Sequence, residues 1–202
     1  MGTPLLPRSF FARPVLEVAP ELLGCLLIGR TGVTVRVTEV EAYEGPLDPA
    51  SHAFRRTPRS EVMFGPPGHL YVYLIYGMHW CANVVTGPAG TASAVLLRAG
   101  EVIGGQQAAR LLRPASRADS QLARGPASLT TLLGLDGANS GDDLCRAGRP
   151  LQLRAGSPPD RISSGPRVGI TRAAERPWRF WQTGSPTVTA FRAGAPRRTA
   201  AS

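Results

Sequence analysis

Apolar and polar residues alternate most regularly between Thr31 and Tyr43, where TGVTVRVTEVEAY repeats with period two and is rich in β-branched side chains. This stretch predicts a strand, and Gly45-Pro46 ends it. Residues 45–62 show no period, contain Pro46, Pro49 and Pro58, carry Arg55, Arg56 and Arg59, and read as an irregular loop closed by the turn Gly65-Pro66-Pro67-Gly68. In the next strand Tyr71 and Tyr73 share one face, while Leu70, Val72 and Leu74 take the other. Tyr76 breaks that parity beside Gly77, where the chain turns before strands at about His79–Val85 and Ala92–Arg98. The succession predicts an antiparallel meander.

Helical patterns cover Ser9–Leu27, with a second helix opening at Ala19-Pro20-Glu21, then Gly104–Arg113, and Pro126–Leu133 closed by Gly134. Shorter strands are expected near Leu151–Arg154, Arg167–Thr171 and Trp178–Gln182, and a small, basic, disordered tail from Arg192 onward. The predicted class is α+β. It comprises one domain over residues 1–191, with a curved antiparallel sheet, surrounding helices and a protruding β-hairpin, and a tail over 192–202.

A chain of 202 residues suits one core. The apolar run Leu22–Ile28 is broken by Gly24 and is too short to span a bilayer. Arg8 and Arg13 lead into Pro14, Glu17 and Glu21 rather than a signal-peptide core, and Leu6 rules out an N-terminal lipidation motif. A cytosolic protein without membrane contact is the expectation. Three cysteines (Cys25, Cys81, Cys145) without a CxxC pair, and only three histidines, argue against a disulfide framework and a zinc site; buried reduced thiols, no metal and no cofactor are expected. The net charge of +9 suits a polyanion such as nucleic acid, and it lies mostly beyond residue 100. Every basic residue is Arg. Without lysine, a Schiff base on a side-chain amine is excluded.

By parity, Val33, Val35 and Val37 share a strand face with Glu39, Glu41 and Tyr43, so an apolar stripe runs into two carboxylates. Buried, these acids must be paired or used; alternatively a bulge shifts the phase and exposes both. His52 and the tyrosine hairpin lie on segments that return to the strand's end. Together they outline a pocket for a flat, nitrogen-rich ligand, with aromatic faces for stacking and a carboxylate to activate water. Arg98, after AVLL, is placed to pair with Glu41, or else ends its strand in solvent. Asn83 carries an amide suited to a purine edge. Tyr76, at a hairpin tip, either packs on the surface or slides between base pairs to fill the gap left by an extruded nucleotide.

The strings VTEVEAYEGPLDPASHAF, TPRSEVMFGPPGHLYVYLIYGMHWCANVV, AVLLRAGE, LARGPASLTTLLGL and RVGITRAAERPWRFW resemble, in order from about Phe10 to Thr189, the alkyladenine (3-methyladenine) DNA glycosylase family. The resemblance implies a monomeric base-excision enzyme that acts on double-stranded DNA. It would flip alkylated or deaminated purines (3-methyladenine, 7-methylguanine, hypoxanthine, ethenoadenine) out of the helix and hydrolyse the N-glycosidic bond. Carried over, it makes Glu41 the general base, with Arg98 beside it. Tyr43, His52 and Tyr73 would surround the flipped base, and Asn83 would discriminate against guanine. Tyr76 would be the wedge flanked by Met78 and His79, and Thr57, Arg59 and Gly169 would approach the DNA backbone. Relative to vertebrate members the His52–Met63 loop is shorter, the Asn83–Arg98 hairpin is longer, and no long N-terminal extension precedes the match. The lack of lysine adds the expectation of a hydrolase without strand-cleaving lyase activity. The rival readings are a non-enzymatic binder of distorted DNA, which needs Tyr76 but not Glu41, and an accessory nucleic-acid-binding domain such as that of a tRNA formyltransferase.

Overall fold

The computed structural model describes residues 3–149 and 151–195. Two short helices, α1 (Arg8–Phe11) and α2 (Val15–Glu21), lead into β1 (Leu26–Ile28) and the long β2 (Thr34–Glu44). A loop with 3₁₀ turns at Gly45–Leu47, His52–Phe54 and Glu61–Phe64 precedes β3 (Leu70–Ile75), β4 (His79–Thr86) and β5 (Ser93–Gly104). Then follow α3 (Gln106–Leu112), α4 (Pro126–Leu133), β6 (Gln152–Arg154), β7 (Ile162–Gly165) and β8 (Arg179–Gln182).

All strands pair antiparallel in one sheet, in the order β3-β4-β5-β2-β1-β6. The α+β class and the hairpin-connected run β3-β4-β5 match the pattern reading; a pure meander does not. β2 lies beside β5, not β3, so the strand that precedes the run sits on the far side of the run's last strand, as in a Greek key. The outer edge of β2 is shared between β1, which pairs with Thr34–Arg36, and β8, which pairs with Glu39–Glu41.

Three further readings are corrected. The helix expected to reach Leu27 ends at Glu21, with Pro20 inside its last turn rather than opening a second helix. Leu26–Ile28 instead inserts as a strand between β2 and β6, because so short an apolar run takes whichever structure its neighbours pair with. Arg167–Thr171 is not a strand. Gly169 sits at φ 73°, outside any ladder, and the Val168 N–H is spent on a side chain. Of the tail, residues 192–195 form no element, and the remainder of the expected disordered segment lies outside the described residues.

One sheet face carries the main core. Leu70 and Val72, Ala82 and Val84, Val95 and Leu97, and Val35, Val37, Val40 and Ala42 pack with Val18 of α2 and with Leu129 and Leu132 of α4. That list shows where parity misleads. Val37 faces Gly100 and Glu39 faces Ala99, which leaves Thr38 as an extra residue in β2; one step later Arg98 is the extra residue in β5. The two irregularities restore the register but turn both strands, so Val40 and Ala42 continue the apolar stripe and Glu39, Glu41 and Tyr43 face the other way. Both acids nevertheless have no solvent exposure. The loop after β2 and the segment around β8 cover that second face.

Candidate active site

On the covered face the strands present Glu41 and Tyr43 (β2), Tyr71 and Tyr73 (β3), Cys81 and Asn83 (β4), and Leu96 and Arg98 (β5) around a cavity of about 240 Å³. His52 from the loop and Val168, Gly169 and Ile170 from the segment before β8 close it. Its volume lies below the usual 300–1,000 Å³ of drug-sized ligand sites and suits a single heteroaromatic ring system.

Glu41 lies at the buried wall. Its Oε1 accepts the Val168 N–H at 2.7 Å and lies 3.2 Å from Arg98 Nη1, and its Oε2 accepts the Tyr43 hydroxyl at 2.9 Å. Burial first, and then the Glu41 charge, push the Tyr43 phenol well above its ordinary pKa, so it remains a donor. Behind its ring, the buried Arg167 stacks at 4.6 Å, binds both oxygens of Asp48 at 2.5 and 2.9 Å, and donates to the Ala42 carbonyl at 2.9 Å. Desolvation opposes the Arg98 charge, but the Glu41 and Glu39 carboxylates outweigh it and raise its pKa above the usual guanidinium value.

The opposite wall is aromatic. The His52 ring meets Tyr73 edge-on at 4.4 Å, and its Nδ1 is within hydrogen-bond contact (3.1 Å) of the Tyr71 hydroxyl. Desolvation, then the Arg59 charge, lower the His52 pKa below 6.5, which keeps the imidazole neutral at pH 7. Asn83 Nδ2 donates to the Tyr71 carbonyl at 3.1 Å, so the amide oxygen is the group left for a ligand.

Of the residues singled out in the sequence, Glu41, Arg98, Tyr43, His52, Tyr73, Asn83, Tyr76 and Gly169 line this one cavity. Met78 and His79 are exposed at the end of the β3-β4 hairpin, outside it. There the Met78 N–H closes the turn onto the Ile75 carbonyl, and Tyr76 and Gly77 both have positive φ, 53° and 71°. An 81 % exposed tyrosine held in a left-handed conformation has no packing reason to be there. Arg59 lies over the Tyr73 ring at 5.2 Å and donates to the Leu74 carbonyl, whereas Thr57 lines an adjacent open groove with His52, Arg55 and Arg172. Pattern reading missed Tyr71, although it shares parity with Tyr73. It also missed Val168, Arg167 and Asp48, whose partners lie more than a hundred residues away. The thiols are free; Cys25 and Cys81 are buried, whereas Cys145 is only half-buried, against expectation.

A family model described as methylpurine-DNA glycosylase matches residues 9–186. The chain belongs to that family. It is 55% identical over 201 residues to a protein of Streptomyces avermitilis named "Putative 3-methyladenine DNA glycosylase", covering 96% of this chain and 94% of the relative. Proteins of the same name from Frankia casuarinae and Burkholderia lata are 51% and 48% identical over 204 and 179 residues, covering 94% and 87% of this chain and 93% and 86% of each relative. Membership makes the chain a DNA glycosylase of DNA repair by family. No helix among the described residues is long and apolar enough to cross a membrane.

Proposed function

We propose that the chain is a monofunctional, monomeric purine-DNA glycosylase that extrudes a damaged base from duplex DNA into the cavity and hydrolyses its N-glycosidic bond with a water activated by Glu41. The observation that carries this reading is the bonding of Glu41. A carboxylate offers about four lone-pair directions; the Val168 N–H, the Arg98 cation and the Tyr43 hydroxyl occupy three, and Tyr43 leaves one on Oε2. A water held there delivers its oxygen to the sugar C1′ and its proton to Glu41. The C1′–N bond breaks and the electron pair leaves with the base.

Alkylation at N3 or N7 places a positive charge on the purine, which leaves as a neutral molecule without a proton donor. A neutral purine such as hypoxanthine requires protonation as it departs. Tyr43, Tyr73 and His52 supply stacking faces, at roughly 1–3 kcal/mol per base. Asn83, fixed by its bond to the Tyr71 carbonyl, discriminates against guanine by a steric clash with the exocyclic amino group that adenine-derived bases lack. Tyr76, with Met78 and His79, enters the gap in the duplex, while Thr57, Arg59 and Gly169 border the path of the strand.

The test is single-turnover release of 3-methyladenine from an alkylated duplex, together with alkali-labile abasic sites. Glu41→Gln should lower the rate about 100- to 10,000-fold while damaged-duplex binding persists, and the wild-type product strand should break only after alkali treatment. A Glu41→Gln protein that excises at the wild-type rate refutes the mechanism. Tight salt-sensitive binding with no base released by the wild type identifies a binder instead.

A further inference from the structure

Two residues before Glu41, a second carboxylate is fully buried and fully bonded. Glu39 Oε1 accepts Arg98 Nε at 2.8 Å, Arg179 Nε at 2.8 Å and the Thr189 hydroxyl at 2.7 Å; Oε2 accepts the Thr189 N–H at 2.7 Å. The donors come from three pieces of chain: β5, β8 and the segment after β8. Stability alone is a poor reason for such a cluster, because well-packed apolar groups in place of buried ion pairs are often neutral or stabilising. Its geometry points at the reaction. Arg98 occupies the extra residue of β5, where the strand turns its side chain toward β2, and its guanidinium is divided three ways: Nε to Glu39, Nη1 to Glu41 and Nη2 to Thr189.

The geometry points to Glu39 as a positioning residue for glycosidic hydrolysis: it holds the Arg98 guanidinium in the orientation that faces Glu41 and balances the charge of the cluster, so that the Glu41 carboxylate stays aimed at the water it activates. The inference rests on the reading of Glu41 given above. The groups facing Glu41 are Tyr43 from β2, Arg98 from β5, Tyr73 and Cys81 from β3 and β4, and Arg167, which Asp48 neutralises; Glu39 bonds to the same Arg98, and Arg179 of β8 pairs with Glu39. Within this set Glu39 and Glu41 offset Arg98 and Arg179. Glu39→Gln removes one negative charge and frees Arg98 to pair with Glu41 alone.

Single-turnover excision is measured from pH 4.5 to 8.5 for Glu39→Gln and for the charge-balanced Glu39→Gln/Arg179→Gln, with duplex affinity and urea unfolding in parallel. Glu39→Gln is expected to lose about 10- to 100-fold in rate, to leave damaged-duplex affinity at the wild-type level, and to move the acid limb down. The double variant is expected to return the acid limb toward the wild-type position while the rate stays low, since the Nε anchor is still missing. Should Glu39→Gln fail to fold, the double variant carries the rate readout, and Arg179→Gln alone, which leaves excess negative charge, is expected to move the limb upward. A purely structural Glu39 lowers the unfolding midpoint and scales the rate with the folded fraction without moving the limb; an unmoved limb in Glu39→Gln, or in Arg179→Gln where Glu39→Gln does not fold, overturns the proposal. Glu41→Gln in the same series separates the two readings. If it retains activity, the role of Glu41 fails; if it abolishes activity while Glu39→Gln keeps both rate and limb, only the role of Glu39 fails.

Discussion

At the scale of single residues, the site is a matter of which groups touch which oxygen of Glu41. The Tyr43 hydroxyl stabilises the charged carboxylate through Oε2, and hydrogen bonds to charged groups are worth about 1.5–3 kcal/mol. Tyr43→Phe keeps the ring over Arg167 but removes that donor from the charged carboxylate. The acid limb of excision is expected to rise, opposite in sign to the shift predicted for Glu39→Gln. Two neighbours moving one titration in opposite directions is a signature that general loss of stability does not produce. His52 titrates separately. Its folded pKa is lowered by desolvation and by Arg59, so the unfolded chain binds the proton more readily. Stability is then complete above about 6.5 and declines as pH falls toward the depressed folded value. Urea unfolding at pH 7 and pH 5 should show that decline in wild type and a smaller one in His52→Asn.

At the scale of elements, two connections deserve comparison. The Asp48–Arg167 pair ties the loop after β2 to the segment that covers Glu41, and neither side chain has appreciable exposure. Asp48→Ala leaves a buried guanidinium without its counterion and is expected to cost about 3–5 kcal/mol, read as a lower urea midpoint with an unchanged slope. The β3-β4 turn behaves oppositely, because the positive φ at Tyr76 costs on the order of 1 kcal/mol. Tyr76→Gly is expected to leave thermal stability unchanged or raised, yet to weaken excision from duplex DNA by about 10-fold or more, through the lost stacking.

The same comparison shows what was legible in the sequence. β2 and the β3-β4 hairpin are written locally, in a period of two and a Tyr-Gly turn, and Gly134 marks the end of α4 at φ 67°. β1 and β7 are not, since three or four residues carry too little pattern and their pairing is decided by distant strands. The bulge at Thr38 is invisible for a deeper reason: it exists only with its counterpart at Arg98, sixty residues on, and parity counted along one strand cannot register it. Alternation alone groups Glu41 with Tyr43 and Tyr71 with Tyr73, but it sets the first pair on the face of Val33, Val35 and Val37, from which the bulge turns it to the cavity. Glu39 could be seen as buried, but its partners at positions 98, 179 and 189 come together only in the fold.

At the scale of the molecule, the charge and the cavity belong to one surface problem. The chain carries 23 basic against 14 acidic residues, and the acids at the site are internally neutralised, which leaves the excess for the outside. Beside the cavity mouth, Arg55 and Arg172 line the open groove that holds Thr57, and among the described residues neither has an ion-pair partner. A duplex with its damaged base in the cavity must pass a phosphate strand along this rim. Each arginine that meets a phosphate displaces a counterion, which contributes about 0.9 to the slope of log affinity against log salt. Arg55→Gln/Arg172→Gln is therefore expected to weaken binding of damaged and undamaged duplex alike and to flatten the salt dependence by about two. Lesion discrimination should stay as in wild type, because that depends on the cavity wall. Fluorescence anisotropy across a salt series, with matched damaged and undamaged duplexes, measures both quantities. An unchanged slope would remove this groove from the DNA path, and a loss confined to the damaged duplex would mean that the two arginines act on the extruded base rather than on the backbone.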